Sequence, residues 1–520
     1  MKFARRKELL KKLEEKQAEI KDRREKLRDL TNLEFSRIVH AFNAEEITPV
    51  ELLKAYQIQA LKLEAHGCLA EPISEAYGRA LNQGWLDEAD ARGKIWGIPV
   101  SLKESLAIKD HDITLGLVNR IGSIATTDCL LVEMLRKAGA VPFMTSSMAP
   151  AGLSIDSSNL IYGKQTNPLN TSRISGGSSG GEAILIAKRG SMLGFGTDSA
   201  GSLRIPAAFC GVSALKPTFE RLSTIGVVSA FQASSVNPKT CVGPIAREVG
   251  LLVHAMEALC APPMFAMDPT VIPIPFNRGA YEGTLKKRLR VGYFTAFPGK
   301  FVPEPVPAVV RAVDLAVQTL RANGHHVEAF TPPDPITVLE LGFRAMNADG
   351  GAEVCNVFKD EPLTKSMRLF VYICQLPRIL KQALAYIVGF LYGPALGAIC
   401  RGLYGPFDVM ICPVTSFPAL PTDAVSTYID ACLAYTLLFS LVNLPVGVVR
   451  THSVSVDDLG SALRNIERFE AEGDRMNAHV ARLQKGSRGL PVAVQVAGLP
   501  FTEETVLRVM RELEIANEGA

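Results

Sequence analysis

The chain has no Cys-x-x-Cys pair, no apolar leader behind its first methionine, no internal repeat and no low-complexity linker in 520 residues. Its ten cysteines stand singly, without histidines at ligand spacing, which argues against a zinc site and for free thiols in a reducing compartment. Neither glycine-rich segment ends in GK[ST], so no phosphate loop is expected. A dominant charge is missing as well. The net charge is +3, but residues 1–29 hold 12 Lys/Arg against 7 Asp/Glu, leaving 44 against 46 elsewhere. The body is therefore near neutral and carries no nucleic-acid footprint.

A charged run, RRKELLKKLEEKQAEIKDRREKLRDL, stands where the apolar region of a signal peptide would be, so secretion is not expected. Leu13, Ile20 and Leu27 recur every seven residues, but the companion positions Phe3, Leu10, Gln17 and Arg24 are half polar, against a long coiled coil. The run reads as a solvated helix, a short self-association helix or a basic surface resting on anionic lipid. Two uncharged runs, 382–400 and 431–449, reach the lower limit for spanning a bilayer. Gly389, Gly393, Pro394 and Gly397 break the first, which favours two short helices lying in a membrane face. The second passes through Asn443 and Pro445 into VGVVRTHSV and reads as buried core.

Elsewhere strand-like stretches (141–143, 289–294, 407–414, 491–498) alternate with helical ones such as LLVEMLRKAGA and PAVVRAVDLAVQTLRANG, the latter with a C-cap expected at Gly324. That alternation predicts an α/β sheet with helices on both faces. The length allows one large unit or two to three domains, and the Pro-rich patch 262–275 is the expected boundary or surface crossing.

Residues 175–217 carry the chemistry, with three serine hydroxyls (Ser178, Ser179, Ser202) in two glycine-rich segments. Gly177-Ser178-Ser179-Gly180-Gly181 satisfies G-x-S-x-G, yet a nucleophile elbow must follow a strand and NPLNTSRIS reads as loop. None of the eight histidines stands out as a triad base; His325 and His326 follow a helix end and read as dipole or surface residues. The other basic candidate is Lys103 in GIPVSLKES. It is either a lysine snorkelling from a strand end or a buried, neutral amine.

Together GIPVSLKES, SGGSSGGEA, GTDSAGSLRIPAAFCG and GLPVAVQVAGLP resemble the amidase signature family of serine hydrolases, from about residue 34 to about residue 515. Within it, PVSLKES, DITLGL, DPTVIPIPF, RLRVGYF and the apolar segment near 368–400 look most like the members that cleave long-chain fatty acid amides and esters. The resemblance implies a single large catalytic domain (34–515) built on a central mixed β-sheet, after a charged N-terminal helix (1–33) and before a tail (516–520). It implies Lys103 as base, Ser178 as relay and Ser202 as nucleophile, with no cofactor and no metal. The oxyanion would be held by the N–H groups of Ser199, Ala200, Gly201 and Ser202, with Ser179, Asp198 and Arg204 in support.

The same resemblance implies a membrane cap with an acyl channel at 367–400, including Ile387, Phe390 and Tyr392. Partners would be a fatty acid amide or ester, a membrane surface and a second copy in a homodimer, on the cytoplasmic side of an intracellular membrane. Two departures stand out. Ala200 replaces a glycine common in relatives, and only RGLYGP (401–406) separates the cap from FDVMICPV. The competing readings are a soluble small-amide amidase or tRNA amidotransferase glutaminase subunit, a catalytically impaired lipid-binding relative, and an unrelated Ser-His-Asp hydrolase.

Overall fold

A computed structural model describes Lys11 and residues 29–81, 93–231, 238–376 and 407–518. Most of the expected N-terminal helix, the channel residues Ile387, Phe390 and Tyr392, and the short connection 401–406 lie outside the described residues. The strands are β1 (Leu69–Pro72), β2 (Pro99–Lys103), β3 (Val141–Ser146), β4 (Leu193–Asp198), β5 (Ser213–Lys216), β6 (Cys241–Ala246), β7 (Arg290–Tyr293), β8 (His326–Ala329), β9 (Val409–Pro413), β10 (Val446–Ser453) and β11 (Pro491–Gly498). They form one 11-stranded sheet in the order β1-β3-β2-β4-β6-β5-β10-β11-β9-β7-β8.

The sheet is mixed, as expected. β2 runs parallel to both β3 and β4, and β7 to both β8 and β9, while the middle of the sheet is antiparallel. Strands such as β2, β4 and β11 are buried along their whole length, as strands covered on both faces are, and the polar residues they carry, Lys103, Asp198 and Gln495 among them, are buried with them. The helix Pro307–Ala322 starts on a proline suited to a first turn and buries Ala308, Val309, Ala312, Val313, Ala316, Val317 and Leu320 on one face. It ends at Ala322 with Asn323 as its cap, and the expected capping glycine, Gly324, follows one residue later at φ +84°. The last helix runs Glu503–Glu518, so the expected tail at 516 begins inside it.

The uncharged run 431–449 folds as core. The helix Val425–Leu441 buries Tyr435, Leu437, Leu438 and Phe439 completely, and the chain then turns into β10. Among the described residues no helix is long and apolar enough to cross a membrane. The Pro-rich patch runs along the surface, with Pro269, Pro273 and Pro275 exposed. Every cysteine among the described residues is a free thiol.

For the site, the useful consequence is the parallel β2–β4 pair, with Leu102 opposite Phe195. Neighbouring parallel strands end on the same side, so Lys103, the last residue of β2, and the loop that follows Asp198 emerge at one edge. Crevices at the carboxyl ends of parallel strands are where α/β folds place ligands.

At the other end of the sheet's middle, β10 lies against the helix Glu503–Glu518, and a side chain at Gly447 would overlap Met510 Sδ and meet Val506 at 3.0 Å. Gly447→Val should therefore destabilise the fold by about 1–3 kcal/mol in urea unfolding; an unchanged midpoint would show that this helix can move away without cost.

Candidate active site

Lys103 is 1% exposed, which removes the snorkelling reading. Its Nζ donates to Ser178 Oγ at 2.7 Å and Thr197 Oγ1 at 2.9 Å, with Thr197 O at 3.4 Å. Burial pulls the ammonium down to about 7, against the carboxylates of Asp198 and Glu182, which hold its proton on. An amine in that state is a base near neutral pH.

Ser178 is 1% exposed, follows a cis Gly177–Ser178 peptide bond, and stands just ahead of the helix Gly180–Ala187. Isolated bridges at Arg173 and Ile174 precede this segment, not a strand, so the elbow reading lacks its structural context. Ser179 is wholly buried, with its hydroxyl 3.4 Å from Thr197 O. Its N–H donates to Ser202 O at 3.0 Å, which joins the two serine segments side by side. Of the three serines only Ser202 is partly exposed.

The loop carrying Ser202 is held by Asp198, whose Oδ1 accepts from Gly201 N–H at 2.7 Å and whose Oδ2 accepts from Leu203 N–H at 3.1 Å. Both carboxylate oxygens also pair with Arg204, through Nε and Nη2 at 3.0 Å each, and neither side chain is exposed. Burial alone would raise this carboxyl, but the Arg204 guanidinium and the Gly201 N–H pull it down to about 2. Arg204 continues to Thr436 O at 2.9 Å and Ser440 Oγ at 2.8 Å on the helix Val425–Leu441, and Thr436 Oγ1 donates to Ala200 O at 2.5 Å. Gly201 has φ +124°, and a side chain there would meet Thr436 Oγ1 at 2.7 Å, so the position needs glycine. Ala200 is not in the left-handed region, so its methyl adds no backbone strain.

Of the four expected oxyanion donors, the Gly201 N–H is taken up by Asp198. Among the described residues those of Ala200 and Ser202 make no hydrogen bond. The Ser199 hydroxyl pairs with Thr240 Oγ1 at 2.7 Å.

Histidine has no part in this arrangement. His325, expected at the surface or on a helix dipole, is buried, with Nε2 2.7 Å from Glu512 and Nδ1 accepting from Leu289 N–H, while His326 pairs with Glu328 outside. His479 meets Tyr428, and His111 meets its own loop at Lys109 O. Thr197, Glu182 and Thr436 escaped the sequence reading. Glu182 lies inside SGGSSGGEA and Thr197 inside GTDSAGSLRIPAAFCG, but Thr436 has no local signal, because its partner is 236 residues away.

A fully buried lysine bonded to one serine, with a second, partly exposed serine joined to the same segment, thus stands at the edge of a mixed sheet. The amidase family profile matches residues 51–507, and the chain belongs to this family of amide-hydrolysing enzymes. It is 34% identical over 516 residues to fatty-acid amide hydrolase 1 of Sus scrofa, covering 93% of this chain and 86% of that one. It is 32% identical over 532 residues to fatty acid amide hydrolase 1 of Caenorhabditis elegans, covering 94% and 89%. A solved fatty acid amide hydrolase shares the fold, with a TM-score of 0.72 at 23% identity over 94% of this chain and 85% of that one.

Removing one partner of the Asp198–Arg204 pair leaves a buried charge uncompensated. Arg204→Met should cost about 3–5 kcal/mol in denaturant unfolding; a loss below about 1 kcal/mol would mean that water enters and solvates Asp198.

Proposed function

We propose that this chain hydrolyses long-chain fatty acid amides and esters through Lys103, Ser178 and Ser202. The observation that carries the reading is the 2.7 Å contact of Lys103 Nζ with Ser178 Oγ, one residue from the N–H that binds Ser202 O. A serine hydroxyl is a poor nucleophile until a base takes its proton, and a desolvated lysine supplies that base. Neutral Lys103 accepts the Ser178 proton as Ser178 accepts that of Ser202, whose Oγ bonds to the carbonyl carbon. Charge then develops on the carbonyl oxygen, where the N–H groups of Ser199, Ala200 and Ser202 are available, while that of Gly201 holds the loop to Asp198. As the tetrahedral adduct collapses, the proton returns from Lys103 through Ser178 to the leaving amine. Water repeats the sequence on the acyl-enzyme, releasing fatty acid. No metal or cofactor enters any of these steps.

Two supports favour a long acyl group. The Sus scrofa and Caenorhabditis elegans relatives are named for fatty acid amides. An apolar cluster of Leu117, Ala151, Val354, Phe358, Met367 and Val371 adjoins the site, since Ala151 precedes Gly152, whose missing side chain would lie 3.7 Å from Ser178 Oγ. Glu361 ties this layer to the N–H groups of Val118 and Asn119 at 2.7 and 2.9 Å. Met367 and Val371 begin the expected cap, and on the helix Arg368–Gln375 Tyr372 and Ile373 are exposed. We assign that outward face to a membrane surface on the cytoplasmic side of an intracellular membrane, with the catalytic domain at 34–515 and a homodimer as the assembly.

Fluorophosphonate should label Ser202, and Ser202→Ala should lower amide turnover by a factor on the order of 10⁴ or more with stability unchanged within about 0.5 kcal/mol. Label on Ser179 would bring back the elbow. Because Lys103 must be neutral to act, wild-type kcat/KM should fall as pH drops through about 7 and level off above it; a profile flat to pH 5 would exclude Lys103 as base.

Tyr372→Asp with Ile373→Lys should release the protein from liposomes and raise KM for long acyl amides, while short soluble amides turn over as before. An acyl chain gains about 0.8 kcal/mol per buried CH₂, so long substrates reside in the bilayer and must be collected there. Equal losses on both substrate classes would count against this surface.

A further inference from the structure

The mechanism above uses one side of the lysine's surroundings and leaves a buried carboxyl unexplained. Glu182 lies on the first turn of the helix Gly180–Ala187 and is wholly buried. Its Oε2 accepts from Ser101 Oγ at 2.6 Å. Side chains two apart on a strand share a face, so Ser101 and Lys103 present Glu182 and Ser178 to the same side of β2. Room for the carboxyl comes from Gly194 on β4, where any Cβ would overlap Glu182 Oε2. A buried carboxyl given this much space, held by a hydroxyl in step with the lysine, is an expensive feature for packing alone.

We propose that Glu182 is a positioning residue for the base: its carboxyl, held on the Lys103 face of β2 by Ser101, sets the charge state in which Lys103 meets Ser178. The inference rests on the assignment of Lys103 as base. Two carboxylates hold the proton on the lysine, Asp198 at the end of β4 and Glu182 on the helix, and Ser101 of β2 and Ser146 of β3 favour the ionised form of Glu182. Asp198 commits both oxygens to Arg204, which offsets its charge, whereas Glu182 is held by the neutral hydroxyl of Ser101. An ionised Glu182 keeps the proton on Lys103; a neutral one lets it go. Burial raises the Glu182 carboxyl and lowers the Lys103 ammonium, and each charge opposes the other's shift. The effect is to counter desolvation, so that Lys103 remains basic enough to take up a serine proton.

The test is the pH dependence of fluorophosphonate inactivation at Ser202, together with kcat/KM on an amide, for Glu182→Gln, Ser101→Ala and Lys103→Ala. Glu182→Gln should move the acid limb to lower pH by about one unit, the size expected when a neighbouring opposite charge is removed. Ser101→Ala, which removes a hydroxyl that favours the ionised carboxyl, should move it the same way by less, and carries the test if Glu182→Gln does not fold. A limb unmoved in both, with Lys103→Ala inactive, overturns this inference alone and leaves Glu182 a hydrogen-bond acceptor. Wild-type reactivity in Lys103→Ala removes the base assignment, and this inference with it.

Discussion

Keeping a lysine amine out of water is the constraint around which this site is arranged. Folding lowers Lys103 from 10.5 to about 7, a difference worth on the order of 5 kcal/mol of stability. The sign follows from the unfolded chain holding the proton more tightly. The penalty is fully present below about pH 7 and fades as pH rises toward 10.5. A protein with the marginal stability of ordinary domains accepts such a cost only where the rest of the core offsets it. Here the offset comes from completely buried strands and from a helix, Val425–Leu441, that runs through the interior.

That interior helix also connects the core to the site. Arg204 reaches from the Asp198 carboxylate to Thr436 and Ser440, and Thr436 bonds Ala200, so the loop holding the accessible serine is braced against a packed core element. A buried ion pair contributes little net stability compared with apolar packing. What it gives here is a fixed loop geometry, with the Gly201 and Leu203 N–H groups held by Asp198 and those of Ala200 and Ser202 left open.

Much of this was legible in the chain. Strand β11 matches 491–498, the helix from Pro307 stops just before its expected glycine, and the run after residue 431 is core. The residues brought together at the site, Lys103 and Ser178 with Ser202 alongside, came from motif positions, because local patterning alone left Lys103 open between two readings. What sequence could not reveal depends on distant partners. Thr436 meets Ala200 across 236 residues, and Arg173, wholly buried without a carboxylate, donates to three carbonyls at Ala419, Leu483 and Lys485. His325 misled for the same reason, since its burial depends on Glu512 at the far end of the chain.

The bond from Ser179 N–H to Ser202 O closes a loop of 23 residues, whereas Lys103 meets Ser178 across 75. Loop-closure entropy makes the longer contact costlier by about 1 kcal/mol, and the longer contact also requires β2 to pair with β4 in register. The pairing of the two serine segments is thus a short, self-closing contact, whereas the contact of the amine with Ser178 holds only where β2 and β4 lie paired. Any change that shifts the register of β2 therefore withdraws Lys103 from Ser178 while leaving Ser179 and Ser202 joined.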